Sequence, residues 1–403
     1  MRHPLLAGLA TACLLGACQT PPRSPVVDQT TRVVVANPRA LPPAPPVATR
    51  PPPPVMEPPE EDVVEEVSRF ASLRGWSATD AAPALLAFRL SCTAWTDAED
   101  AAALAPNLPQ YGIFADWREP CAAAGEATDA KAFFETHFTP VALSTPEAGE
   151  GLLTGYYEPE IAVRRVPSRE FSEPVLARPD DPAVQALPRA EQGPRSSRVI
   201  AYGRPIDVFF MQVQGSGRIR FADGLTLRAA FAGHNSLPYT SIGRVLVERG
   251  EMELSAASKG AIERWMRSNG PEATRELMNS NARYVFFEEQ AVPSSGSTGP
   301  QGAMRVPLTD MGSIALDPRY HPYGTVALLE TTLPRAKGDF RGVPATLLVV
   351  GQDTGGAIRG PLRGDLFFGS GEAAGELAGV MKHPVRWTLL LPKRLAERYR
   401  KSA

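Results

Sequence analysis

The sequence predicts a mainly β protein with a helical N-terminal part, and three observations carry that expectation. From Glu60 to about Phe138 the apolar residues recur at helical spacing. Beyond residue 150 the texture changes to short β-rich runs divided by Gly, Pro and Asp. Of the 41 prolines, 14 crowd between Gln19 and Glu60, so the excess belongs to one segment and not to the folded part. The chain has 403 residues, 43% of them hydrophobic, enough to bury a substantial core in more than one domain. Its net charge of −2 gives no electrostatic reason to attract a polyanion, which argues against nucleic acid as a partner.

Residues 1–17 read as an export signal: Arg2 and His3, then an apolar run from Leu5 to Leu15. Leu15-Gly16-Ala17-Cys18 resembles a bacterial lipobox, which marks Cys18 for lipidation and implies a lipid anchor; the competing reading is a buried helix. No later stretch is long and apolar enough for a transmembrane helix. Residues 18–60, with Leu41-Pro42-Pro43-Ala44-Pro45-Pro46 and Pro51-Pro52-Pro53-Pro54, favour polyproline II and read as a tether. A ligand for a polyproline-reading domain is the alternative. At ~3.1 Å per residue the tether extends to roughly 130 Å.

In the helical part, Val63-Val64 with Val67 and Phe70, Ala84-Leu85-Leu86 with Phe88 and Leu90, and Ala132-Phe133-Phe134 each suggest one apolar face, with Asp129 as N-cap of the last. Cys92 and Cys121 are the two cysteines left in this part. In an oxidising compartment they are a disulfide candidate, and two buried thiols that never meet are the alternative. Strands are expected at 152–157, at 206–213 and at 218–221, the last entering a hairpin turn at Asp223-Gly224. Helix returns between Arg244 and Met278, with Val245, Leu246, Ile262, Trp265 and Met266 on one face. Residues 290–303 form a flexible connector, and strands resume at Val306.

Chemistry concentrates between residues 306 and 370. Asp317 precedes Pro318, Asp353 precedes Thr354-Gly355-Gly356, and Asp365 follows Arg363-Gly364, each at the end of or beside an apolar run. Carboxylates at strand ends facing one cleft show this pattern, and so do ordinary turns. Upstream stand Gly151-Leu152-Leu153-Thr154-Gly155-Tyr156-Tyr157-Glu158-Pro159, Phe210-Met211-Gln212-Val213-Gln214-Gly215-Ser216-Gly217, Ala232-Gly233-His234-Asn235-Ser236, and Asn281-Ala282-Arg283-Tyr284-Val285-Phe286-Phe287. Together these motifs resemble the membrane-bound lytic murein transglycosylase A (MltA) family with a C-terminal 3D domain, named for three aspartates. The resemblance runs from about residue 70 to 393.

The resemblance implies a double-psi β-barrel formed by both ends of the chain, residues 61–157 and 293–403, with an inserted second β domain over 158–292. It implies cleavage of the β-1,4 bond between N-acetylmuramic acid and N-acetylglucosamine in peptidoglycan, giving 1,6-anhydromuramoyl products, with no cofactor. Asp365 maps to the catalytic acid, accompanied by Asp353 and Asp317. Leu366, Phe367 and Phe368 beside Asp365 would disfavour its charged form, and Asp353 would push the same way. Substrate-binding candidates are Thr154, Gly155, Tyr156, Tyr157, Gln212, Gln214, Gly215, Ser216, His234 and Asn235, whose amides, hydroxyls and rings suit sugars; core or loop roles are the alternative for each. Five scattered histidines without a paired spacing give no metal site. The expected setting is the periplasm with a lipid anchor in the outer membrane, and the expected partners are peptidoglycan glycan strands and cell-wall enzyme complexes, with the protein itself a monomer. Two other classes compete. Asp353-Thr354-Gly355 matches the core of an aspartic protease, although no second such motif exists, and a lipoprotein that only binds peptidoglycan needs no acid.

Overall fold

A computed structural model describes residues 64–67, 69–144, 151–292 and 299–402. The export signal, Cys18 and the tether lie outside these residues. The chain opens with β1 (Val64–Val67), α1 (Ala82–Ala94), α2 (Phe114–Glu126) and α3 (Ala130–His137), then enters β2 (Phe138–Ser144) and β3 (Gly151–Glu158). Next come β4 (Glu160–Arg164), β5 (Glu173–Leu176), α4 (Pro182–Gln185), β6 (Val199–Gly203), α5 (Pro205–Gln214), β7 (Gly217–Arg220), β8 (Thr226–His234), α6 (Ile242–Glu248), α7 (Lys259–Asn279) and β9 (Val285–Ala291). The last part holds β10 (Ser313–Ala315), β11 (Val326–Leu333), β12 (Val343–Asp353), β13 (Arg363–Ser370), α8 (Glu372–Ala378), β14 (Lys382–Pro392) and α9 (Lys393–Ser402).

The strands divide into two sheets, which makes the protein mainly β. The first runs β1-β2-β14-β11-β12-β10-β13-β3, and a further pairing of β14 with β3 closes the ring β14-β11-β12-β10-β13-β3. Closure removes the free edges that an open sheet of this kind would leave. The second sheet, β5-β6-β4-β7-β8-β9, draws every strand from residues between Glu160 and Ala291. The core of the first includes Phe88, Trp117, Phe134, Val326, Leu366 and Trp387, so α1 to α3 share it. Val163, Val175, Val208, Ile219 and Phe287 form the core of the second.

Local sequence explains most elements. Ala84, Leu85, Ala87, Phe88 and Ser91 form the buried stripe of α1. Asp129 caps α3 by accepting from Ala132 N at 3.0 Å. Cys92 on α1 and Cys121 on α2 are joined by a disulfide. Gly224 adopts φ 89° in the turn that joins β7 to its antiparallel partner β8, a region where glycine carries no Cβ penalty.

Three segments differ from expectation. Residues 206–213 form α5 and not a strand: Pro205 opens it, Gly215 at φ 89° closes it, and Val208, Phe209, Met211 and Gln212 are all buried. A helix enclosed on several faces shows the same near-continuous apolar run as a buried strand, so periodicity alone cannot separate them. Residues 64–67 form β1, paired antiparallel with β2, and not a helix. Four residues are too few to offset helix nucleation, whereas a waiting strand edge supplies bonds at once. The third is the region after the connector. Around Val306 the chain turns, with Arg305 at φ 65° and a bridge between Gln301 and Pro307, and the strands resume only at Ser313.

Candidate active site

β10 lies between β12 and β13, and Ala315 is the register partner of both Asp353 on β12 and Asp365 on β13. Asp365 is in turn the partner of Thr154 on β3. Residues in register across adjacent strands share a face, so Asp353, Ala315, Asp365 and Thr154 form one cross-strand row. A register shift between Ile314 and Ala315 passes over Gln352, which is fully buried. Its amide donates to Ala87 O at 2.7 Å and Ser91 Oγ at 2.9 Å and accepts from Ser313 Oγ at 2.5 Å, fixing β12 to α1 immediately before Asp353.

Asp365 is half-buried and hydrogen-bonded. Thr154 Oγ1 donates to Asp365 Oδ1 while accepting from Arg363 Nη2 at 2.8 Å. Burial pushes the Asp365 pKa up to about 6, and Asp353 adds to that, against the Thr154 hydrogen bond and the Arg363 charge. Thr154 has one proton and directs it at Oδ1, so the acid proton of Asp365 belongs on Oδ2. The group is thus a carboxyl with a pKa of about 6 and, among the described residues, one oxygen without a donor.

Asp353 is differently placed. Its Oδ1 accepts from Ala303 N at 3.0 Å and Thr354 N at 2.9 Å, and its Oδ2 accepts from Tyr156 OH at 2.9 Å. Burial raises its pKa and these three bonds oppose the rise. Tyr156 is itself held well above the ordinary tyrosine range, by burial first and by Asp353 next, so it stays a neutral donor. Its ring packs 5.3 Å from that of Phe367. Both oxygens of Asp353 are therefore engaged by the protein, not by a second carboxylate sharing a proton as in an aspartic protease.

Asp317 does not join the row. Its side chain is inaccessible and accepts from Arg319 Nη2 at 2.6 Å, Arg319 Nε at 3.0 Å and Gly360 N at 2.8 Å. Burial alone would raise its pKa, but the Arg319 and Gly360 bonds outweigh it and hold the carboxylate below the usual range. The adjacent His321 donates from Nε2 to Pro361 O at 2.6 Å, takes the Tyr111 hydroxyl at Nδ1 at 2.5 Å, and is kept neutral by burial, its pKa lowered to about 4. Asp317 and His321 thus tack down Gly360 and Pro361, the end of the loop that joins Asp353 to Asp365.

The binding candidates separate into three groups. Thr154 and Tyr156 meet the carboxylates directly, and Gly155 between them has no room for a side chain, since a Cβ there would lie 2.5 Å from the Phe368 ring. Tyr157, Gln214, Gly215 and Ser216 lie at the join of α5 and β3: Gln214 Oε1 accepts from Tyr157 N at 3.1 Å, Gly215 caps α5, and Ser216 is nearly inaccessible. Gln212, His234 and Asn235 are occupied elsewhere. Gln212 takes Arg189 Nη1 and donates to Val285 O, and His234 Nδ1 accepts from Ser236 N at 2.8 Å. Asn235 donates to Leu187 O and Ala282 O and accepts from Leu237 N and Tyr284 N, which saturates its amide.

Two functional groups escaped the sequence reading. Arg363 stands two residues before Asp365 on the same strand, and the period of two that puts both on one face was the available signal. Glu158, wholly inaccessible, accepts from Arg228 Nε at 2.5 Å, Arg218 Nε at 2.9 Å and Ser370 Oγ at 2.7 Å, tying β7 and β8 to β3 and β13 where the chain passes from one sheet to the other. A cavity of about 630 Å³ lined by Arg178, Asp180, Arg198 and Glu288 belongs to the second sheet and touches none of the three aspartates.

Comparison with known proteins meets this geometry from the other side. The family model of the MltA specific insert domain matches residues 152–200 and 188–288, and that of the 3D domain matches residues 312–391, together more than half of the chain. The chain belongs to the MltA family. The 3D match contains Asp317, Asp353 and Asp365, and the insert match contains all ten binding candidates. A Vibrio cholerae protein named membrane-bound lytic murein transglycosylase A is 39% identical over 243 residues, 58% of this chain and 64% of that relative. The matched part therefore spans just under two thirds of this curated relative's length. The solved lytic transglycosylase LtgG of Burkholderia pseudomallei is 33% identical, covers 84% of this chain and 98% of its own, and superposes with a TM-score of 0.56. E. coli MltA with bound chitohexaose is 29% identical, covers 76% and 90%, and gives 0.60. Among the described residues no helix is long and apolar enough to cross a membrane.

Proposed function

We propose that this chain is a lytic transglycosylase that cleaves the β-1,4 bond between N-acetylmuramic acid and N-acetylglucosamine in peptidoglycan, with Asp365 as acid and then base. The observation that carries the reading is the asymmetry of the three aspartates: Asp353 and Asp317 have their oxygens engaged, and Asp365 combines a pKa of about 6 with an oxygen that has no donor among the described residues. Hydrolysis of a glycoside needs two working carboxyl groups. Lytic cleavage needs one. Asp365 Oδ2 gives its proton to the bridging oxygen as the bond from the muramoyl anomeric carbon breaks. The muramoyl 6-hydroxyl, held in the same molecule, then attacks that carbon and returns its proton to Asp365. The product is a 1,6-anhydro sugar, and no water is consumed.

Family membership and the names of the relatives support this substrate class, and the chitohexaose bound by the E. coli protein shows that a family member holds a β-1,4-linked amino-sugar chain. Thr154 and Arg363 hold the acid, while Asp353 fixes Tyr156 as a neutral ring and donor. In this reading the closed ring of the first sheet is the double-psi barrel, residues 158–292 are the insert, and Cys18 carries lipid that anchors a monomer to the outer membrane from the periplasmic side. The test is digestion of purified sacculi followed by mass measurement. Muropeptides lighter by one water than hydrolytic products are expected, and products that retain that water overturn the lytic step.

A further inference from the structure

Two arginines, Arg283 and Arg359, meet at the loop between Asp353 and Asp365. Arg283 reaches it from the second sheet's side of the chain, in the short stretch between α7 and β9. Its backbone is pinned at both ends: its N–H donates to Asn281 Oδ1 at 3.3 Å, and its carbonyl accepts from the buried Arg189 at 2.6 Å. The half-buried guanidinium extends over the loop, with Nη1 3.1 Å from where a Cβ on Gly356 would stand. Arg359 belongs to the loop itself and donates to Gly355 O at 3.1 Å and Ile358 O at 2.8 Å.

Burial, and then the charge of Arg359, lower the proton affinity of Arg283. Among the described residues neither guanidinium makes a salt bridge, whereas Arg218, Arg228, Arg275 and Arg319 each pair with a carboxylate. A pinned, partly desolvated cation next to a second cation is an unfavourable arrangement for the free protein. It becomes favourable when an anion arrives. Gly355 and Gly356 have no side chains to obstruct the approach, and Gly356 is exposed. Guanidinium groups suit carboxylates in particular, through paired charge-assisted hydrogen bonds.

We infer that Arg283 and Arg359 form a binding site for a carboxylate of the glycan, and so let the enzyme distinguish muramoyl-containing strands from neutral ones. The inference rests on the peptidoglycan reading. N-acetylglucosamine has no acidic group. Each muramoyl unit carries a lactyl ether that ends either in its own carboxylate or in a peptide with carboxylates further out. Both sources present the same chemistry to the two arginines.

The experiment measures binding by the full-length protein in detergent, with Asp365→Asn as background to prevent turnover. Three probes are compared: chitohexaose, glycan strands freed of peptide by an amidase, and peptide-bearing strands. Arg283→Gln with Arg359→Gln should weaken binding to acidic strands about tenfold and leave chitohexaose within about twofold. Loss on the peptide-free strands assigns the lactyl carboxylate, and loss confined to peptide-bearing strands assigns the peptide. Equal weakening on chitohexaose, or no change on either acidic strand, overturns the site. Chitohexaose binding also reports that the variant is folded. The underlying activity is checked separately: wild-type protein that releases no anhydro product from sacculi removes the enzymatic reading, whatever the binding series gives.

Discussion

The two sheets treat the polar residues of their motifs in opposite ways. On the first sheet, Thr154 directs its proton to one oxygen of Asp365, and among the described residues the other oxygen has no donor. Beside the second, Asn235 just past β8 has all four hydrogen-bonding positions filled, and Gln212 on α5 is held by Arg189 and Val285. The motif residues looked equivalent as candidates for sugar binding. What separates them is residual hydrogen-bonding capacity: a saturated amide holds its own backbone together, and a partly engaged carboxyl can still act.

The largest effect expected from this difference is at Asp365. Asp365→Asn should reduce anhydro-muropeptide release by about a thousandfold, the scale of a lost general acid, and activity near the wild-type level would end its assignment. Stability should respond in the reverse direction. The folded pKa of about 6 lies above the ordinary aspartate value of 3.8, so between these pH values the folded state holds a proton that the unfolded chain has released. Stability contributed by that proton is present at low pH and lost as pH rises through about 6. Urea titrations should show Asp365→Asn at least as stable as wild type at pH 7, with a flatter dependence between pH 4 and 6. Activity that requires the protonated acid should likewise fall as pH rises through about 6.

Glu158 tests the join between the sheets. Glu158→Ala leaves Arg228, only 6% exposed, without its carboxylate, and the expected cost is about 3–5 kcal/mol of unfolding free energy in urea. A cost below 1 kcal/mol would mean that the two sheets do not depend on this cluster. Asn235→Ala should be milder, about 2 kcal/mol, from buried backbone groups left unpaired, with kcat preserved in the folded fraction. If Asn235→Ala instead raises KM without lowering the melting temperature, Asn235 touches substrate and the contrast between the sheets fails. Thr154→Val is the smallest and sharpest change. It removes a bond that lowers the Asp365 pKa, so the alkaline limb of the pH–rate profile should move to higher pH, with kcat reduced about tenfold.

Legibility in the sequence followed the range of the interactions. The strand at 152–157, the turn at Asp223-Gly224 and the cap at Asp129 rest on contacts within a few residues, and each appears where local chemistry placed it. The helix at 205–214 has a strand-like sequence because its buried faces remove the periodicity that marks a helix. The role of Asp317 was obscured in another way. Asp-Pro beside a strand signals a turn or a catalytic end equally well, and only the placement of Arg319 and Gly360 shows that its charge is engaged.

The family, the mainly β class and the candidacy of the three aspartates are legible along the chain, because they are carried by short-range patterning and by motifs in order. The tertiary structure sets how far the oxygens of each aspartate are engaged. Asp353 and Asp365 stand 12 positions apart, and a single alanine of β10 brings them into one row with Thr154, a residue from the far side of the inserted sheet. Burial, the Thr154 bond and the Arg363 charge then act on a carboxyl whose neighbours in space are mostly not its neighbours in sequence, and that sum sets its pKa.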